Sequence, residues 1–188
     1  MMRANTSMKT NDMGWNVSVR DITLIGMMIA IIEVCKVTMM GIPNVELTSF
    51  WVIMFTLYFR KKVIYVIPAF VLIEGMMFGF GTWWIMYLYT WPALAVITHM
   101  LRKKVSAWTW SVLSGIFGLL YGMLCSFPYF AMGFVNGGFR AGLMAGFSWW
   151  VAGIPWDIVH GAANFILMFI LYHPIRHVMN STKKFLPE

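Results

Sequence analysis

A chain of 188 residues that is 60% hydrophobic and only 11% charged falls well below the roughly one-quarter charged composition of soluble domains, which excludes an ordinary water-soluble enzyme or binding module. Each crossing of a bilayer takes about 20 apolar residues, so the chain can supply several crossings but has little left for a separate soluble domain. Its net charge of +7 does not mark nucleic-acid recognition, because the basic residues sit in short clusters between apolar runs rather than along one surface.

Residues 1–20 are polar, with Asn5, Thr6, Ser7, Lys9, Asn11 and Asp12, and lack the apolar core and cleavage site of a signal peptide. The first helix is therefore expected to be retained. Apolar runs bounded by turn or charge signals follow at Asp21 to Met40, Leu47 to Phe59, Val63 to Phe80, Trp83 to Leu101, Ala107 to Gly133 and Pro155 to Tyr172, and predict six helices. Pro43 and Asn44 read as turn and capping residues before the short second run. Residues 134–151 are rich in glycine and aromatics and are expected outside the span pattern, as a re-entrant loop or a short interfacial helix.

Arg3, Lys9 and Arg20, Arg60 to Lys62, Arg102 to Lys104, and Arg176, Lys183 and Lys184 all fall on one side of a six-helix arrangement. Arg140 falls on the other. The positive-inside rule then places both termini in the cytosol. The expectation is an all-α integral membrane protein. It divides into a cytosolic segment 1–20, a compact six-helix domain 21–178 with outer loop 134–151, and a cytosolic tail 179–188.

The chain carries no phosphate-binding glycine loop, nucleophile elbow or paired-histidine zinc motif, so no catalytic residue, metal or cofactor is assigned. Cys35 and Cys125 lie in apolar runs without ligand spacing and read as small hydrophobes. Glu33 and Lys36, three apart, can neutralise each other on the first helix, whereas Glu74 needs a base from another helix. Asp157, His160 and Asn164 share one helix face, and ionisable groups at membrane depth face a cavity or a partner. Six tryptophans, Trp83, Trp84, Trp91, Trp149, Trp150 and Trp156, map to the outer half against Trp108 and Trp110 near the inner surface. That imbalance points to a pocket more than to a lipid-interface belt. The expected substrate contacts are Asn44, Trp83, Trp84, Tyr87, Trp149, Trp150, Trp156, Asp157, His160 and Asn164.

The run from Ile42 to Leu47 entering the second helix, the basic loops after helices two and four, and Pro155-Trp-Asp-Ile-Val-His opening the last helix together resemble the substrate-binding S components of energy-coupling factor (ECF) vitamin transporters. The resemblance implies a bacterial plasma-membrane subunit that captures a vitamin at its outer face. Its partners are a transmembrane coupling protein and two cytosolic ATPase subunits that use the ATP. By the same resemblance, Gly26 and Ala30 form the small-residue face that docks on the coupling protein. One outer cation, Arg140, is too few for a polyanionic ligand, and the aromatic and methionine content suits a large, mainly neutral ring system. Cobalamin is the leading substrate, ahead of pantothenate, riboflavin, and a pyrimidine or queuosine precursor. Asp157 and His160 depart from the Asn and Lys of the riboflavin branch. The competing classes are a small intramembrane enzyme built on Asp157 and His160, and a self-sufficient secondary transporter.

Overall fold

The computed structural model of the chain describes residues 18–104 and 106–183. Arg3 and Lys9 of the N-terminal segment and Lys184 of the tail lie outside those residues. The described residues form helices α1 (Val19–Met39), α2 (Thr48–Phe59), α3 (Val63–Phe78), α4 (Thr82–Leu101), α5 (Ala107–Leu119), α6 (Tyr121–Cys125) and α7 (Phe127–Lys183), with a 3-10 turn at Arg60–Lys62 between α2 and α3. There is no strand among them.

Local chemistry explains the boundaries. Ser18 and Asp21 form a reciprocal capping box at the start of α1, which satisfies two otherwise orphaned backbone donors. Asp21 also pairs with Lys62 at 2.7 Å, tying the start of α1 to the basic turn after α2. At Gly79 the chain leaves α3 with φ +89°, a conformation that a Cβ would penalise. Asn44 sits at φ +57°, which asparagine tolerates better than most residues. Asn44 does not cap α2: Leu47 holds that position without a side-chain bond. Instead the hydroxyl of Thr48 donates to Glu46 Oε2 at 3.1 Å.

The largest departure from the expected architecture lies in the last third. Residues 134–151, expected as a re-entrant loop or a short interfacial helix, are helical on both sides of a tight turn at Gly137 (φ −152°) and Gly138 (φ +75°). α5, α6 and the first arm of α7 (127–136) form one nearly continuous rod. It is bridged at its bends by Leu120 N–H to Ile116 C=O at 3.0 Å and Phe130 N–H to Ser126 C=O at 3.0 Å. The second arm, 139–183, returns against that rod. Pro155 therefore stands inside a helix rather than at its start.

Small residues make the hairpin close-packed. A Cβ on Gly118 would lie 2.8 Å from Gly161 Cα, and one on Gly142 would lie 2.8 Å from Phe130 C=O. Both arms need glycine at these crossings, as in membrane helices that approach backbone to backbone. Glycine density there signals helix contact, which explains why it misled as a loop signal.

α2 runs through the middle of the fold, touching α1, α3, α4, α5 and α7. Phe50, Val52, Ile53, Met54 and Phe55 are all at most 2% exposed. Large apolar side chains are exposed on the outside, among them Val19, Met76, Met100 and Val135. Two helical stretches, Val19–Met39 and Tyr121–Ser181, are long and apolar enough to cross a membrane.

Candidate ligand-binding site

Arg60, Lys61 and His99 border one groove, so the links α2–α3 and α4–α5 lie at the same end of the molecule. At the opposite end the segment 41–47 links α1 to α2, exposed over residues 41–44 and half-buried from Val45 to Leu47. Polar groups reach the interior there: Thr48 and Ser49 are buried, and the Glu46 side chain is 18% exposed.

Asp157, His160 and Asn164 line one face of the second arm of α7, and each meets a different segment. Asp157 Oδ1 accepts the Gly122 N–H at 2.9 Å. His160 Nε2 stands 3.5 Å from Glu46 Oε1. Asn164 Nδ2 donates to Ser49 Oγ at 3.2 Å. All three side chains are at least nine-tenths buried. Gly122 makes room for the carboxylate, since a Cβ there would lie 2.3 Å from Asp157 Oδ2.

Burial raises the pKa of the Glu46 carboxyl, but the His160 ring, the Lys36 charge and the Thr48 hydroxyl together outweigh it and hold the group below its ordinary value. The carboxylate form is thus the one this loop stabilises.

A cavity of about 510 Å³ opens above these contacts, walled by Asn44, Met86, Tyr121, Trp149, Trp156 and Asp157. Asp157 Oδ2 is buried and has no hydrogen-bond partner. The cavity volume lies in the range of small-molecule sites, which combine apolar walls with a few polar groups. Trp149 stacks on Tyr129 at 3.8 Å, and Tyr121 meets the His160 ring edge-on at 5.0 Å. The aromatic wall is therefore braced from behind.

Of the ten expected contacts, Asn44, Trp149, Trp156 and Asp157 border this cavity. His160 and Asn164 lie on the same helix face below it. The others have different surroundings. Trp84 donates its indole N–H to Val71 C=O at 2.7 Å and packs over Gly75, joining α4 to α3. Trp83 lies edge-on to Tyr87 at 5.3 Å, and Trp150 lies edge-on to Phe147. Tyr87 accepts from Lys36 Nζ at 2.9 Å. Trp91, mapped to the same outer cluster, is fully buried.

Sequence reasoning missed Glu46, Ser49, Tyr121 and Gly122, which contribute as much to this region as the residues it named. The half-buried end of segment 41–47 and the first turn of α2 place the first two, and spacing along the chain carries no sign of it. Lys36 was expected to neutralise Glu33. It pairs instead with Glu74 of α3, and its ammonium also sits 4.6 Å from the centre of the Tyr87 ring, a cation–π contact. Tertiary proximity offered Lys36 a fully buried carboxylate and a ring face together. Glu74 has thus found its base on another helix.

Cys35 and Cys125 are free thiols. Trp51 donates to Cys35 Sγ at 3.2 Å. Among the described residues no three His, Cys, Asp or Glu side chains converge as a metal site. Asp157 and His160 take separate partners, Gly122 and Glu46. Gly26 and Ala30 lie on the exposed side of α1, with nothing within 4 Å of a Cβ built on Gly26. No family model, curated protein or solved structure matches this chain.

Proposed function

We propose that the chain is the substrate-capturing membrane subunit of an ECF-type vitamin importer. The observation that carries this reading is the cavity of about 510 Å³ walled by Trp149, Trp156 and Asp157, whose carboxylate has one oxygen buried at the cavity wall without a hydrogen-bond partner. A buried acceptor without a partner costs free energy, and a ligand N–H or O–H offsets that cost. The apolar exterior and the two stretches long enough to span support a multi-pass protein of the bacterial plasma membrane. In that reading six helical passes place the basic end in the cytosol. The cavity end faces outward, where a nutrient arrives.

The polar lining narrows the substrate. Asp157 offers an acceptor, Asn44 and the Tyr121 hydroxyl each donate and accept, and among the described residues no Lys or Arg lines the cavity, so the ligand is read as neutral or cationic. Pantothenate, an anion, is the poorest match among the vitamins considered. Cobalamin keeps first place, because its fringe of amide groups donates hydrogen bonds and its flat ring suits tryptophan faces. Its bulk requires the mouth between segment 41–47 and the hairpin to widen. A pyrimidine or queuosine precursor fits without that movement.

Capture is the chain's own task, and no residue of it is assigned a catalytic role. Energy comes from ATP hydrolysed by two cytosolic ATPase subunits, transmitted through a transmembrane coupling protein that packs on Gly26 and Ala30. That face is open, and small residues permit close helix approach. Mild purification followed by mass spectrometry of co-purifying proteins and small molecules tests the proposal. ATPase subunits together with a bound vitamin support it. A chain that transports or turns over substrate alone refutes it.

A further inference from the structure

At the basic end of the molecule a second cavity, about 460 Å³, runs between α3 and α4. Its walls are almost wholly apolar, including Ile64, Ile67, Ala95 and Val96. Pro68 and Pro92 both border it. Neither can donate to the carbonyl four residues earlier, and each ring clashes with the preceding turn. The two prolines thus border the slot between the helices. Ile64 is 61% and Val96 58% exposed, so the slot opens sideways, toward the surroundings of the bundle.

One end of the slot is basic. Arg60 and Lys61 border it, with His99 opposite. Among the described residues Asp21 is the carboxylate at this end, and it is held by Lys62 at 2.7 Å. Arg102 bonds to His99. Arg60 and Lys61 have no carboxylate partner among the described residues. Arg60 is also held at φ +41°, an uncommon conformation for a side-chain-bearing residue.

We propose that this slot is a binding site for an anionic phospholipid, one acyl chain lying between α3 and α4 and the phosphate resting on Arg60 and Lys61. The proposal rests on the membrane-embedded reading of the chain and is independent of the substrate. An apolar slot open to the side suits a hydrocarbon chain. Two cations at its mouth without a carboxylate partner among the described residues suit the acidic headgroup of the cytoplasmic leaflet, which basic residues near the membrane surface attract.

The purified chain is reconstituted with equal amounts of phosphatidylglycerol and phosphatidylcholine, extracted gently and analysed by native mass spectrometry. The expected result is preferential retention of phosphatidylglycerol. In Arg60→Gln/Lys61→Gln the preference falls about tenfold or more, given the attraction of each cation for an acidic surface. In Val96→Trp, which fills the slot from its exposed side, retention of both lipids falls. Millimolar inorganic phosphate leaves the wild-type result unchanged. Equal retention of the two lipids by the wild type, a preference that survives the double substitution, or displacement of the lipid by phosphate each overturns the proposal. So does an Ile64→Cys variant that crosslinks to a second copy through the slot. Phosphatidylglycerol selectivity without ATPase partners refutes the importer reading and leaves this site standing. ATPase partners without lipid selectivity do the reverse.

Discussion

Gly122→Ala ties the cavity to the stability of the fold. The new Cβ would lie 2.3 Å from Asp157 Oδ2 and 2.7 Å from Oδ1, so the carboxylate must swing away and lose the Gly122 N–H now 2.9 Å from Oδ1. A hydrogen bond to a charged group contributes about 1.5–3 kcal/mol, while alanine in place of a helical glycine recovers up to about 1 kcal/mol. The expected net loss is about 0.5–3 kcal/mol, seen as a lower unfolding temperature in mild detergent. Vitamin affinity falls too, because Asp157 leaves the cavity wall. Gly26→Ala is the matched control: nothing lies within 4 Å of its Cβ, so the same exchange is neutral or stabilises by up to about 1 kcal/mol. The two substitutions carry opposite signs. If Gly122→Ala proves as stable as Gly26→Ala and binds vitamin normally, the placement of Asp157 is wrong.

Glu74→Gln strands the Lys36 ammonium in the interior and is expected to destabilise by about 3–5 kcal/mol, whereas Lys36→Met/Glu74→Leu recovers most of that loss in the same thermal assay. Trp156→Ala lowers vitamin affinity by about 1 kcal/mol or more in a tryptophan-fluorescence titration; Trp84→Ala, whose ring bonds to Val71, lowers stability with affinity unchanged. Because the Glu46 pKa is depressed below its ordinary 4.5 in the folded chain, its stabilisation is complete above that value and disappears as pH falls through the lower folded one. Glu46→Gln should flatten the acid limb of a stability profile, and an unchanged limb refutes the His160–Glu46 contact. With Cys35 and Cys125 replaced, a membrane-impermeant thiol reagent applied from outside should label Gly137→Cys and not Lys61→Cys. Ala30→Trp is expected to abolish uptake while vitamin binding persists; survival of both removes α1 as the docking face.

The sequence by itself determined the helical class, because composition and apolar run length depend on no long-range contact. Five of the six predicted runs begin within two residues of an observed helix: Asp21, Leu47, Val63, Trp83 and Ala107 against Val19, Thr48, Val63, Thr82 and Ala107. Charge, turn residues and capping act over a few positions and are legible there. The sixth start failed, since Pro155 reads locally as a helix opening, while glycine contacts from the facing arm continue the helix back to residue 139. The site divided in the same way. Asp157, His160 and Asn164 were visible as one face because a helix has a fixed period, but their partners Gly122, Glu46 and Ser49 come from distant segments. Which tryptophans wall the cavity and which brace α4 against α3 also depended on packing: each indole N–H and ring face takes the nearest partner that the assembled helices offer, and spacing along the chain does not encode that distance.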